Sequence, residues 1–200
     1  MLSRSFRILI SVASGVFLGA GGLVSCGSTL RPYAAFSPQR DVALEPSFLT
    51  RVYEAEGANA ADFLLTDLPR ERLRPGAPLN GVSGHLVRVT LLTRPVAGKT
   101  PIDSTAINAT VTHVVVADGR VGVYSGGGFF YVDGALDGAA VQGRFRGGMV
   151  RLAGSTEGFV DLLGAGEISG SVSAVRDGPL AALLRARVDE LVKLATPQPE

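Results

Sequence analysis

The alternation of apolar and polar side chains becomes regular at Gly84 and holds almost to the C-terminus. In H85-L-V-R-V-T-L-L-T93, His85, Val87, Val89 and Leu91 alternate with Leu86, Arg88, Thr90 and Leu92, the period of a half-buried strand. The run from Thr105 to Ala117 places Ile107, Ala109, Val111, His113 and Val115 on one face and Asn108, Thr110 and Thr112 on the other. Asp118-Gly119 suits a two-residue turn with positive φ, so Thr105 to Ala117 and Arg120 to Ser125 are expected to form a hairpin. The period continues in V141-Q-G-R-F-R-G147, where Val141, Gly143 and Phe145 face one way and Gln142, Arg144 and Arg146 the other. Val150 and Leu152 resume the apolar face in the opposite parity, so Gly147-Gly148 is expected to bulge or turn the chain. In E167-I-S-G-S-V-S-A174 the inward set is Ile168, Gly170, Val172 and Ala174, with Glu167 and three serines outward. No proline occurs from Ile102 to Gly178, as suits a sheet whose ladder uses every N–H.

The chain on either side is less uniform. F48-L-T-R-V-Y-E-A-E-G57 and A60-A-D-F-L-L-T-D-L68 are short runs that fit a strand or a helix, bounded by Pro69 and Pro75. The C-terminal G178-P-L-A-A-L-L-R-A-R-V-D-E-L-V-K-L-A195 predicts an amphipathic helix over 179–195. Pro179 suits the first helical position, Leu180, Leu184, Val188, Leu191 and Ala195 form one stripe, and Pro197 ends the element. Arg185, Arg187, Asp189, Glu190 and Lys193 make a mixed-charge polar face, unlike the basic face of a helix that seeks membranes. Packing on the open face of the sheet takes precedence over binding a membrane or partner, since most such stripes are core. The expectation is a mainly β fold: an antiparallel meander or partly closed barrel of about six to eight strands with one C-terminal helix, in a single domain over 48–197.

The N-terminus carries targeting signals. Arg4 and Arg7 precede I8-L-I-S-V-A-S-G-V-F-L-G-A-G-G-L-V24, and small residues follow, the layout of a secretory signal peptide. As an uncleaved anchor the same run would sit at the bottom of the length range needed to span a bilayer. At its end, Leu23, Val24, Ser25 and Cys26 resemble the lipobox of bacterial lipoprotein precursors, with Leu three places before the Cys and a small residue just before it. The resemblance covers residues 1–26 alone. It implies removal of 1–25, acylation of the Cys26 thiol and new N-terminus by chains such as palmitate, and attachment to a membrane of the cell envelope. Gly27 rather than Asp after the Cys points, by similarity to enterobacterial sorting, to the outer membrane where the host has two. Residues 26–47, with three prolines and no sustained period, read as a flexible tether.

Composition narrows the function further. Of the 200 residues 19 are basic and 18 acidic, and loss of Arg4 and Arg7 with the signal leaves the acids one ahead, which argues against a nucleic-acid partner. The single cysteine cannot form an internal disulfide. His85 and His113, the only histidines, are not at ligand spacing; a catalytic or metal role would require them to meet across strands beside an acid such as Asp118 or Asp133. Ser125 lies in G122-V-Y-S-G-G-G-F129, not in a G-x-S-x-G elbow, and neither S125-G-G-G128 nor G154-S-T-E-G158 leads into G-K-[ST]. The cluster Tyr124, Phe129, Phe130 and Tyr131 has two readings, a ligand pocket or core. The arginines between 142 and 151 likewise suit an anion site or a solvated sheet face. N108-A-T110 matches a glycosylation acceptor that a bacterial envelope protein would seldom use.

The leading expectation is therefore a non-enzymatic envelope lipoprotein, with no cofactor or metal, that holds the membrane through Cys26 and binds an envelope protein or supports an assembly. The alternatives are a carrier of a small apolar ligand and a hydrolase-type enzyme using His85 or His113. A sheet followed by a terminal helix resembles the bacterial lipocalins in architecture only; with no tryptophan, the chain lacks the G-x-W motif of that family.

Overall fold

A computed structural model describes residues 28–34, 42–95 and 107–196. The two ambiguous runs upstream are strands, β2 (Thr50–Glu56) and β3 (Ala60–Thr66), joined as a hairpin in which Glu56 lies opposite Ala60. Their period is hard to read because β3 is buried on both sides: Ala61, Phe63 and Leu65 belong to one apolar cluster and Leu64 to another. A strand covered on both faces loses its polar phase and reads as a continuous apolar run.

Antiparallel pairing then continues through β4 (Gly84–Leu91), β5 (Ala109–Ala117), β6 (Arg120–Asp133), β7 (Ala140–Ser155) and β8 (Gly166–Arg176). With β1 (Arg31–Ala34) the sheet has eight strands in the order β1-β8-β2-β3-β4-β5-β6-β7, and β8 also pairs with β7. A short parallel contact, Val52 opposite Val175 and Tyr53 opposite Arg176, joins β8 to β2 and closes the hydrogen-bonded ring. This is the strand-rich, partly closed sheet with a terminal helix that the alternation predicts.

Local features follow the pattern closely. Asp118 and Gly119 have φ of 50° and 80°, and Ala117 pairs with Arg120 across them, as a primed turn demands. The register slips between Phe145 and Gly148, with Gly147 at φ 58°, so the parity change in the sequence is a bulge. The observed β5 begins at Ala109 rather than Thr105, and 96–106 lie outside the described residues. The β6 strand runs on to Asp133 rather than ending near Ser125; the glycines at 126–128 hide the continuation, since residues without side chains show no alternation.

The tether is corrected in part. Residues 28–34 lie along β8 instead of hanging free: Arg31 to Ala34 pair with Ser169 to Gly166, and the Thr29 N–H donates to the Ser171 carbonyl at 2.8 Å. Leu30 is fully buried, and Val42 and Leu44 pack on the same core. The cause is long-range. Gly170, at φ 142°, has no Cβ, and a Cβ there would overlap the Thr29 carbonyl.

Two apolar clusters result. The ring interior holds Tyr53, Phe63, Val89, Val111, Phe130, Phe145 and Ile168 among others. Outside, α1 (Gly178–Ala195) covers Val52, Leu64, Leu86, Val114 and Val123 with Ala181, Leu184, Val188 and Leu191. Asp177 caps the helix by accepting from the Leu180 N–H at 3.0 Å, and Pro179 sits in the first turn. One residue departs from the predicted faces: Arg187 is 1% exposed, its guanidinium bonded to Glu190 and to the Ala77 carbonyl.

Gly119→Val is expected to cost about 2 kcal/mol, because a β-branched residue resists positive φ and its Cβ would press on the Leu79 carbonyl. Leu184→Asp should cost about 3–5 kcal/mol by placing a carboxylate between helix and sheet. Urea unfolding midpoints measure both; a wild-type midpoint in either variant would remove the corresponding assignment.

Candidate functional site

The two histidines meet. In the β4–β5 register His113 lies opposite Val87 and His85 opposite Val115, which makes the imidazoles diagonal neighbours on the inner face. His85 Nδ1 and His113 Nε2 are 3.0 Å apart, and His113 Nδ1 is buried without a partner. Donation from His113 Nε2–H to His85 Nδ1 leaves only an unused lone pair at His113 Nδ1, whereas the other tautomer of His113 would strand an N–H there. Complete burial, then the charge of a protonated His85 nearby, lowers the pKa of His113 to about 3. Burial also lowers His85, against an opposing pull from Asp67.

The acids are placed elsewhere. Among the described residues neither imidazole hydrogen-bonds to a carboxylate. Asp67 takes the His85 backbone N–H at 2.6 Å, Asp118 is in the hairpin turn, and Asp133 is on the outer surface beside Arg144. Tyr124, opposite His113, donates instead to Asp161 at 2.7 Å, and Asp161 also accepts from the N–H groups of Leu163 and Gly164. Burial and that carboxylate raise the Tyr124 pKa. The segment from Thr156 to Ala165 thereby seals one end of the ring, with Leu163 buried and the Phe159 ring against Gly122. No group of three or more His, Cys, Asp or Glu stands ready for a metal among the described residues.

The four aromatics of the sequence cluster do not converge on one pocket. Tyr124 and Phe130 point into the ring, where Phe130 meets Phe63 edge-on at 5.1 Å. Phe129 and Tyr131 take the opposite parity and pack on each other at 4.7 Å on the outer face. There, Tyr131, Asp133, Arg144 and Arg146 line a groove of about 250 Å³, with the Arg146 guanidinium 5.9 Å from the Tyr131 ring centre. Asn108, the formal glycosylation acceptor, is buried and its amide is spent on the Thr93 and Phe130 carbonyls.

Sequence reasoning missed a buried ionic cluster under the helix. Asp62, with its side chain 2% exposed, accepts from Arg88 at 2.9 Å, Arg185 at 2.8 Å and Thr90 at 2.6 Å, while Arg185 also reaches Glu54. Burial would raise the Asp62 carboxyl, but the hydrogen bonds from Arg88, Thr90 and Arg185 hold it below its ordinary value. The available signal was an acid interrupting the apolar run A60-A-D-F-L-L65, at the parity opposite Phe63.

Cys26 lies outside the described residues, as do 1–25. Among the described residues no helix is long and apolar enough to cross a membrane. No protein-family model matches the chain, and neither a curated protein nor a solved structure is significantly similar to it.

The histidine pair sets an acid limit to stability. His113 titrates near its ordinary 6.5 when unfolded and at about 3 when folded, so below 6.5 the unfolded chain binds the extra proton. Stability should be full above that pH and fall between 6.5 and about 3, at up to about 1.4 kcal/mol per pH unit. Chemical denaturation across this range should show the decline, and His113→Gln, which does not titrate, should flatten it. An equal slope in the variant would assign the decline to other groups.

Proposed function

We propose that the protein is a lipid-anchored component of the bacterial cell envelope, in which Cys26 is acylated and the β domain serves a non-enzymatic binding or structural role. The observation that carries this reading is L23-V-S-C26, the one cysteine of the chain at the end of its one long apolar run. Each fatty chain contributes about 0.8 kcal/mol per buried CH₂, so one chain holds marginally while the two or three of a lipoprotein hold firmly. That demand accounts for a lone thiol with no disulfide, metal or catalytic use. Gly27 after it favours the outer membrane.

The interior supports a binding or scaffolding role over a carrier. Tyr53, Phe63, Phe130 and Phe145 are all fully buried and meet within the ring, occupying the positions an enclosed apolar ligand would take. The histidines, with no carboxylate on either ring among the described residues, offer less to acid–base chemistry than a His–acid pair would.

Expression of the wild type and Cys26→Ala in a bacterial host, followed by membrane fractionation and mass measurement of the N-terminal peptide, tests the anchor. The wild type should fractionate with membranes and carry acyl mass at Cys26, and the variant should carry none. A wild-type N-terminal peptide without added lipid mass would overturn the reading.

A further inference from the structure

If Cys26 bears the lipid, the domain takes hold of the chain two residues after the anchor. Ser28 is bound to β8 twice, its Oγ accepting from the Ser173 N–H at 2.9 Å and donating to the Ser173 carbonyl at 3.3 Å. Two Cα–Cα steps keep Cys26 within about 8 Å of Ser28 whatever the conformation between them. Acyl chains enter the bilayer at its interface, so the surface around Ser28 must lie against the headgroups.

That surface has a definite composition. Thr29 Oγ1 meets Ser171 Oγ at 3.3 Å on the outer face; Ser171 lies opposite Arg144 on β7, and Arg144 opposite Tyr131 on β6. At a strand spacing of about 4.8 Å, Arg144 is two spacings, about 10 Å, from Thr29. Arg144 and Arg146 are exposed and form no ion pair among the described residues. Asp133, the groove's one carboxylate, lies two pairs further along opposite Gln142 and forms no ion pair with either arginine among the described residues. On the other side of Ser28, a cleft of about 500 Å³ between β1 and β2 is bordered by Thr29 and by Leu49, which is 80% exposed. An apolar side chain standing in water costs free energy that insertion into a bilayer returns. The helix packs on apolar residues of β2 to β6, whereas Arg144 and Arg146 on β7 stay exposed among the described residues.

We propose that the face running from Leu49 across Ser28 to Tyr131 docks on an anionic phospholipid surface. Leu49 enters the acyl boundary, Tyr131 sits at headgroup depth, and Arg144 and Arg146 bind lipid phosphates, the guanidinium fork matching two phosphate oxygens. This rests on the proposed acylation of Cys26: the lipid supplies the hold, and the face fixes the orientation.

The absence of tryptophan makes the test direct. The membrane-extracted protein, reconstituted into vesicles of brominated phosphatidylglycerol and phosphatidylcholine, is compared as Leu49→Trp and as Ala186→Trp, the second on the exposed side of the helix. The indole of the Leu49→Trp variant should shift to the blue and be quenched, more on anionic vesicles than on pure phosphatidylcholine, while that of Ala186→Trp keeps its aqueous emission. Adding Arg144→Glu and Arg146→Glu to Leu49→Trp should abolish the excess on anionic vesicles. Equal quenching in the two variants, or none in Leu49→Trp, would overturn the docked orientation even where acyl mass is found at Cys26. Missing acyl mass with the Leu49→Trp indole quenched would remove the anchor and leave the lipid-binding face standing.

Discussion

β8 is hydrogen-bonded along both edges, and the rest of the architecture depends on that. One edge pairs with β7, the other with β1 and then with Val52 and Tyr53 of β2, so the antiparallel succession returns to its start. Closure removes most of the open sheet edge, the usual liability of a β protein. It also creates an inside, and that inside must be filled and its ends shut. Leu136 is buried at one end, in the β6–β7 connection, where Tyr53 donates to the Gly138 and Leu136 carbonyls. Phe159, Asp161 and Leu163 shut the other.

Closure divides the outer surface as well. Over β2 to β6 the outward residues are apolar enough to require a cover, which α1 supplies. Over β7 and β8 most are polar or charged, among them Gln142, Arg144, Arg146 and three serines, and these require none. The helix is held in register by Arg185, which spans from Asp62 on β3 to Glu54 on β2. Removing one partner would leave the Asp62 carboxylate buried and short of donors, a cost of about 3–5 kcal/mol, so the cluster acts mainly to penalise any other docking of the helix.

Two buried polar groups of the sheet, Asp62 and His113, are handled in different ways. Asp62 keeps its charge because three side chains donate to it. His113 stays neutral because it is completely buried, and because a proton on it or on His85 would face the other imidazole. Among the described residues, the outer face of the sheet therefore carries ions, and the inner face carries none of comparable burial.

Much of the fold was legible in the sequence because it is set by neighbours along the chain. The alternation in 85–91, 141–146 and 167–174 reports which side of a strand is buried; Asp118-Gly119 reports a turn that only positive φ can make; the parity change at Gly147 reports an extra residue. The stripe on 179–195 reports a helix lying on apolar surface. Period says which face a side chain takes, but not what stands opposite it. Packing between elements decided the remainder. It buried both faces of β3, one inside the ring and one under α1, and so erased the period there, drew 28–34 onto the far edge of β8 across Gly170, and set His85 beside His113 across the β4–β5 pair. It split Phe129 and Tyr131 from Phe130 and Tyr124, and it pulled Arg187 from a nominally polar face into a buried bond with the Ala77 carbonyl. Each of these is a contact between residues far apart in the chain, and a one-dimensional pattern carries only the spacing of residues close enough to share an element.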